Sequence, residues 1–362
     1  MKAYMVDKSA LAHNVRVILE RAGGAVVWGV IKGDGYGLGC VELARVLSAY
    51  GIDHFAVTEV SEVRRLREAG FEENAILMME ATADETELNE LMDLGAILTV
   101  SSLEQGQTLD RVARQRSAVA QAHVKIDTGM GRFGFLPEQI EQVYRLYTDC
   151  PGLALTGIYT HFACAVDPAD TQKQYDAFQQ VVQELHAAGF ETGMVHCCNS
   201  TAFWKYEHMH CDAVRVGSAL LGRVGFAGKA GLKSVGCCNA QIEEIRTIPA
   251  GHSVGYGAGW VAKRETRIAV LPVGYFHGFG VDRGFDLWRF KDCVRGVARY
   301  IKAFLRHKAL YVHVGGKACR VLGHVGMVNM VIDVTDCDCR VGDTARVSIN
   351  PLLVKGMDVV YF

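Results

Sequence analysis

Eight short apolar runs, separated by amphipathic stretches, restrict the possible folds of this chain more than any other feature. The runs are Val26–Lys32, His54–Val60, Ala75–Met79, Ala96–Val100, Ala122–Asp127, Leu155–Phe162, Met194–Cys198 and Ala213–Val216. Between most of them, segments such as Val41–Tyr50, Glu59–Ala69, Glu85–Leu94 and Thr171–Ala188 repeat apolar residues at helical spacing. Strands that alternate with helices form parallel sheets, and eight repeats predict a (β/α)8 TIM-type barrel. A doubly wound sheet is the rival, but it usually has fewer repeats and a G-x-G-x-x-G turn after its first strand. That turn is missing after Val26–Lys32.

After about residue 228 the texture changes to Val-, Thr- and Gly-rich blocks: Ala240–Ile248, Arg267–Val273, Ala309–Val314, Val328–Val334 and Thr344–Ile349. These read as a mostly β domain. The expected division is a barrel over residues 1–228 and a β domain over 229–362, with the first few residues candidates to pair with the second domain. Within the β domain, Lys291–Lys308 reads as a basic amphipathic helix carrying Arg295, Arg299, Lys302 and Arg306, most simply a solvated face in an insertion.

Composition narrows the function. A length of 362 residues exceeds one ordinary core, and 50% hydrophobic with 22% charged residues describes a soluble globular chain. The formal net charge of −2 offers no basic field for nucleic acid. No apolar run is long enough to span a bilayer, and the opening Met1–Asp7 does not read as a signal peptide. The expectation is a cytoplasmic protein without nucleic-acid or membrane partners. The twelve cysteines show no C-x-x-C and no zinc spacing, so they read as reduced structural thiols with no metal.

Chemistry concentrates at the ends of the apolar runs, where barrel enzymes place it. Lys32 leaves a buried strand into a glycine-rich turn that carries Tyr36. Desolvation lowers the pKa of such an amine, which suits a Schiff-base lysine, and pyridoxal 5'-phosphate (PLP) is the commonest cofactor to use one. After the fifth run comes Lys125–Gly134 with Asp127 and Arg132; the sixth ends at His161; the seventh runs from His196 into Ser200; the eighth holds Arg215, Gly217 and Ser218. Ser200 with the amides around Gly217 and Ser218 could cradle a phosphate after strands seven and eight.

The blocks K-G-D-G-Y-G, K-I-D-T-G-M-G-R-F-G, Y-T-H-F-A, H-C-C-N-S and V-R-V-G, followed by Val254–Ala258 and Leu271–Tyr275, resemble those of the PLP-dependent alanine racemase family, in order over roughly residues 1–350. The resemblance implies a PLP fold type III homodimer, a barrel plus a β domain, paired head to tail so that each active site borrows from its partner. It implies an amino-acid racemase for a small substrate, interconverting L- and D-alanine for cell-wall precursors. Residue by residue, Lys32 would carry PLP as a Schiff base, and Tyr36 and Ser200 would hold its phosphate, with His161, Gly217 and Ser218 also at the cofactor. Arg215 would face the pyridine nitrogen. Arg132 would touch the cofactor phenolate and the substrate carboxylate. Tyr256 from the other subunit would be the second acid/base, Tyr275 and Met327 would meet the substrate, and Lys125 would be carbamylated to brace the arginine.

Racemisation needs a proton-handling group on each face of the substrate carbon. A tyrosine with a pKa near ~10 needs cationic neighbours to act as a base, and His161 with Arg215 are the expected ones. An arginine, with a pKa above ~12, does not give its proton to the ring, so the ring is a weaker electron sink and transamination is suppressed. Plainer roles exist: Lys125 as a barrel lysine paired to Asp127, His161 as a core histidine, His196 in packing or supporting hydrogen bonds, and Tyr275 as β-domain core.

The match departs from the family pattern in the β domain. Where the family has a C-M-D-Q-like block, Gly323–Asn329 keeps Met327 but has Val328 for the acid, and His324 stands for an expected arginine. A further phosphate-contacting tyrosine has no clear counterpart, although Tyr361 lies nearby, and Phe279–Gly316 is expanded. The remaining alternatives are a serine or broad-specificity racemase, a non-enzymatic PLP carrier, which the β domain with Tyr256 argues against, and a fold-related decarboxylase. The last would use Cys337 with Asp336 or Asp338, but the flanking residues do not match.

Overall fold

The computed structural model describes residues 1–281, 288–306 and 308–362, so residues 282–287 and 307 of the expanded Phe279–Gly316 segment lie outside the described residues. Contacts divide the chain into two compact units, Asp7–Val235, and Met1–Val6 with Gly236–Phe362. The division falls a few residues beyond the change in sequence texture. The reason is Asn14, which accepts from Lys233 N at 2.8 Å and donates to Leu220 O and Lys233 O, tying that stretch to the first helix.

After the opening strand β1 (Lys2–Val6), the larger unit contains eight strands: β2 (Val26–Val30), β3 (His54–Val57), β4 (Ala75–Met78), β5 (Leu98–Val100), β6 (Ala120–Lys125), β7 (Leu153–Tyr159), β8 (Met194–His196) and β9 (Ala213–Val216). They form one sheet in the order β4-β3-β2-β9-β8-β7-β6-β5, with parallel pairing throughout. A parallel Leu77↔Ile97 bridge joins its outer strands and closes the barrel. All eight apolar runs contain a strand, and six of these strands stop short of the C-terminal end of the run, β5 and β9 being the exceptions. Those trailing residues turn into the loops that carry the polar groups.

The intervening helices start where a side chain accepts the first free amides: Asp7, Asp84, Ser102, Asp167 and Asn199 each cap one. The barrel interior holds Trp28, Val30, Ala56, Leu77 and Ala213, with Tyr36 and Met79 packed against them. Such strands are buried on both faces, which is why they read as continuous apolar runs.

The smaller unit adds β10 (Gly236–Gln241), β11 (Glu244–Ile248), β12 (Ser253–Val254), β13 (Trp260–Val261), β14 (Thr266–Leu271), β15 (Tyr311–Val314), β16 (Lys317–Leu322), β17 (Met330–Asp333), β18 (Thr344–Val347) and β19 (Asp358–Tyr361). Nine strands form a sheet in the order β11-β14-β17-β16-β15-β18-β10-β1-β19, and β12 pairs with β13. Strand β1 runs antiparallel to β10 and parallel to β19, so the first residues fold with this unit. The basic segment forms a helix, Phe290–Leu305. Among the described residues no helix is long and apolar enough to cross a membrane.

Candidate active site

The turn after β2 carries Lys32. Gly33, Asp34, Gly35 and Tyr36 all take left-handed backbone angles, with φ of 62, 51, 64 and 57°. An L-residue there costs roughly 1–2 kcal/mol, which glycine escapes, so Asp34 and Tyr36 need support. Glu62 supplies it for Asp34: the buried carboxylate accepts Asp34 N at 2.7 Å, Thr58 N at 3.0 Å and Glu59 N at 3.2 Å. Asp34 in turn accepts Cys40 N and pairs with Arg65 at 2.8 Å. The result aims Tyr36 at β9: a Cβ on Gly217 would lie 2.2 Å from the Tyr36 hydroxyl.

Gly217 N and Ala219 N donate to the Ser200 hydroxyl oxygen at 3.1 and 3.4 Å. Tyr36, Ser200 and Gly217, with Ser218 next in the chain, therefore converge from β2, β8 and β9. The amide at Gly217 is committed to Ser200 rather than open, and the Ser200 hydroxyl hydrogen is left to donate. Burial pushes the Tyr36 phenol up to about 12, so it acts as a neutral hydrogen-bond donor.

Arg215 on β9 is buried, and its two terminal nitrogens serve five acceptors. Nη1 meets His196 Nδ1 at 2.7 Å and His196 O at 3.2 Å; Nη2 meets Thr160 O at 2.6 Å, Cys197 O at 3.3 Å and His161 Nδ1 at 3.4 Å. Its guanidinium also lies over the Tyr159 ring, 4.9 Å from the centroid. Among the described residues no acceptor takes its Nε–H, and no carboxylate forms a salt bridge with it.

Since Arg215 is only a donor, His196 Nδ1 must accept, and its Nε2–H then donates to His123 Nδ1 at 3.0 Å. Burial first, and Arg215 second, hold His196 well below the usual histidine range and take His123 down to about 3. His161 also falls to about 3, through burial and then the cations Arg215, Lys125, Lys32 and Arg132. That corrects the expectation of a cationic His161: it is a neutral acceptor. His196 has the supporting hydrogen-bond role.

Lys32 is half-buried, and its amine is lowered by burial and then by Arg132, against Glu80 and Glu62. Lys125, at the end of β6, falls to about 8 through burial, Arg132 and Arg215. It lies over Phe133 and Tyr159 at 5.3 and 5.5 Å and makes no salt bridge among the described residues. The expected alternative partner, Asp127, is used otherwise. It accepts Gly129 N, Met130 N and Gly131 N at 2.8–3.1 Å, folding the loop that presents exposed Arg132. Burial opposes ionisation of Asp127, but these amides outweigh it and lower its pKa.

In the smaller unit Tyr256 is 81% exposed, Tyr275 52% and Met327 55%. Tyr275 N donates to Gly326 O, and Phe276 N to Met327 O, each at 3.0 Å, so these two loops run side by side. His324 abuts the Tyr256 loop: a Cβ on Gly259 would lie 2.9 Å from its ring. Tyr275 is thus a surface residue rather than core. Cys337, by contrast, is buried and donates to Val314 O, so it is not presented with Asp336 or Asp338 as a decarboxylase would require. Tyr361 sits in β19 opposite Val6.

Sequence reasoning missed Glu62, Glu80 and His123. Glu62 has the look of a helix-surface residue, Glu80 only follows an apolar run, and His123 lies inside a strand.

Comparison with known proteins agrees with this arrangement. Residues 6–224 match the model of the alanine racemase N-terminal domain, and residues 235–350 that of the C-terminal domain. The alanine racemase of Methylacidiphilum infernorum is 31% identical over 94% of this chain and 81% of the relative; that of Desulforamulus reducens is 30% identical over 91% and 84%. Among solved structures, alanine racemase from Clostridium difficile 630 superposes with a TM-score of 0.85 and 26% identity, covering 100% of this chain and 95% of that one. The Streptomyces lavendulae enzyme gives 0.84 and 25%, covering 100% and 97%. With both domain models matched in order across a barrel and β unit of this kind, the chain belongs to the alanine racemase family.

Proposed function

We propose that this protein is a PLP-dependent racemase that interconverts L- and D-alanine as a cytoplasmic homodimer with shared active sites. The observation that carries the reading is the cluster at the C-terminal rim of the barrel. A desolvated Lys32 amine lies in one electrostatic neighbourhood with Arg132, and Arg215 bears an unaccepted Nε–H. The residues fit PLP. Tyr36, Ser200 and Ser218 would hold the phosphate, with Gly217 making room for the Tyr36 hydroxyl, while Arg215 would hold the ring nitrogen and Lys32 the aldehyde carbon. When bound, PLP supplies an electron sink that acidifies the α-hydrogen of an attached amino acid.

The chain does the rest. Lys32 and Tyr256 from the partner subunit each hold or release a proton at the substrate Cα, one on each face. Arg132 orients the carboxylate. Arg215 keeps the ring nitrogen hydrogen-bonded but unprotonated, because its own acceptors fix it as a cation. Lys125, with its lowered pKa, offers the free amine that carbamylation needs, and a carbamate there would brace Arg132. Twelve free cysteines suit a reducing compartment.

The test is α-proton exchange in D2O with PLP, followed by proton NMR and chiral analysis. L-Alanine should lose its α-proton signal as D-alanine appears, and Lys32→Ala should abolish exchange from both enantiomers. Tyr256→Phe should impair exchange mainly from the L-enantiomer; equal loss from both would refute the face assignment. Because Val328 and His324 alter the β-domain block beside Met327, the same assay with L-serine ranks a serine or broad-specificity racemase against the alanine reading.

A further inference from the structure

The helix Phe290–Leu305 buries only Gly296. One of its faces carries Phe290, Val294, Val297, Ile301, Phe304 and Leu305, which are 83, 51, 59, 54, 77 and 68% exposed. Their three-, four- and seven-residue spacing makes a single stripe. A solvated face, the expectation from sequence, describes only the other side, which carries Lys291, Arg295, Lys302 and Arg306. From Trp288 to Arg306 there are six cations and one carboxylate, in a chain whose net charge is −2. That carboxylate, Asp292, is already shared by Arg289 and Arg295 at 2.7 and 3.4 Å.

An exposed apolar stripe of this size marks an interaction surface. A helix seam with a second copy would be a narrow stripe flanked by charges that pair across it. Here Lys291, Arg295, Lys302 and Arg306 lie along one edge of the stripe and Cys293 and Tyr300 along the other, so the stripe is broad and its edges offer a partner helix no opposite charge to pair with. Two such copies would also bring like charges together. A broad aromatic and aliphatic face bordered by Lys and Arg matches instead the boundary between acyl chains and anionic headgroups.

We propose that the helix Phe290–Leu305 docks this protein peripherally on an anionic phospholipid surface, lying in the interface rather than crossing it. The site is independent of the racemase reading.

The test is flotation of the full-length protein with vesicles of phosphatidylcholine alone or mixed with phosphatidylglycerol, at low and high salt. Binding should appear on the anionic vesicles and weaken with salt. The pair Phe290→Ser with Phe304→Ser, and separately the set Lys291→Glu, Arg295→Glu and Lys302→Glu, should each reduce binding about tenfold or more. Both variants should keep wild-type circular dichroism and thermal unfolding. No binding to anionic vesicles, or equal binding to neutral ones, would overturn the proposal. So would apolar-face variants that sediment as a smaller assembly, which would assign the stripe to a second copy.

Discussion

Arg215 is a buried cation balanced by dipoles rather than by a carboxylate, and that shapes its chemistry. A carboxylate partner would neutralise it, whereas carbonyls and imidazoles leave the charge available to whatever meets its Nε. His196 is the link that can be removed cleanly. His196→Leu strips an acceptor from Arg215 and a donor from His123, both buried, so it should lower unfolding free energy by about 2–3 kcal/mol in urea titrations. Lys125 makes a different, pH-dependent contribution. Its folded pKa is about 8, against ~10.4 in the unfolded chain, so between those values the unfolded state binds more protons. Stability from this group is complete above the unfolded value and is lost as pH falls to the folded one. In carbonate-free buffer, the unfolding free energy of wild type relative to Lys125→Met should therefore rise from about pH 8 to about pH 10. A flat difference would contradict the burial of a free amine there.

The turn Gly33–Tyr36 shows how one element imposes a conformation on another. Asp34 is held left-handed with help from Glu62, on the helix Val60–Glu68, which accepts the Asp34 amide while the Thr58 and Glu59 amides fix its carboxylate. Glu62→Ala leaves those donors without their acceptor and should cost about 3 kcal/mol in unfolding free energy. It should also weaken PLP binding in fluorescence titration, since Lys32 and Tyr36 ride on the same turn. Part of this element is legible in the sequence: Gly33 and Gly35 announce a left-handed stretch, and a lysine after an apolar run announces Lys32. The angles of Asp34 and Tyr36, and the role of Glu62, depend on a contact between different repeats, which local pattern does not encode. The eight barrel strands were legible because parallel strands buried on both faces are apolar throughout. Strands β16 and β19 of the smaller unit were not, since β16 mixes exposed and buried residues and the edge strand β19 is only half-covered. The chain from Arg215 through His196 to His123 appears only once β6, β8 and β9 lie in one barrel.

The two units hold different parts of the proposed machinery. Lys32, Arg132, His161 and Arg215 belong to the unit Asp7–Val235, and Tyr256, Tyr275 and Met327 to the other. If each site combines the barrel of one subunit with the Tyr256 loop of its partner, the two proton-handling residues of a site never come from the same chain. This has a consequence that no single-chain site would share. Lys32→Ala and Tyr256→Ala homodimers should each be inactive, since every site lacks one of the two groups. In a mixed dimer one site gathers both defects and the other gathers none. Random exchange of equal amounts makes about half the dimers mixed, so about a quarter of all sites should be intact. Unfolding and refolding the two variants together should therefore restore racemisation to about a quarter of the wild-type rate per site, while each variant refolded alone stays silent. Continued silence of a mixture shown to contain mixed dimers would place Tyr256 in the same chain's site as Lys32. It would thus refute the sharing while leaving the racemase chemistry intact.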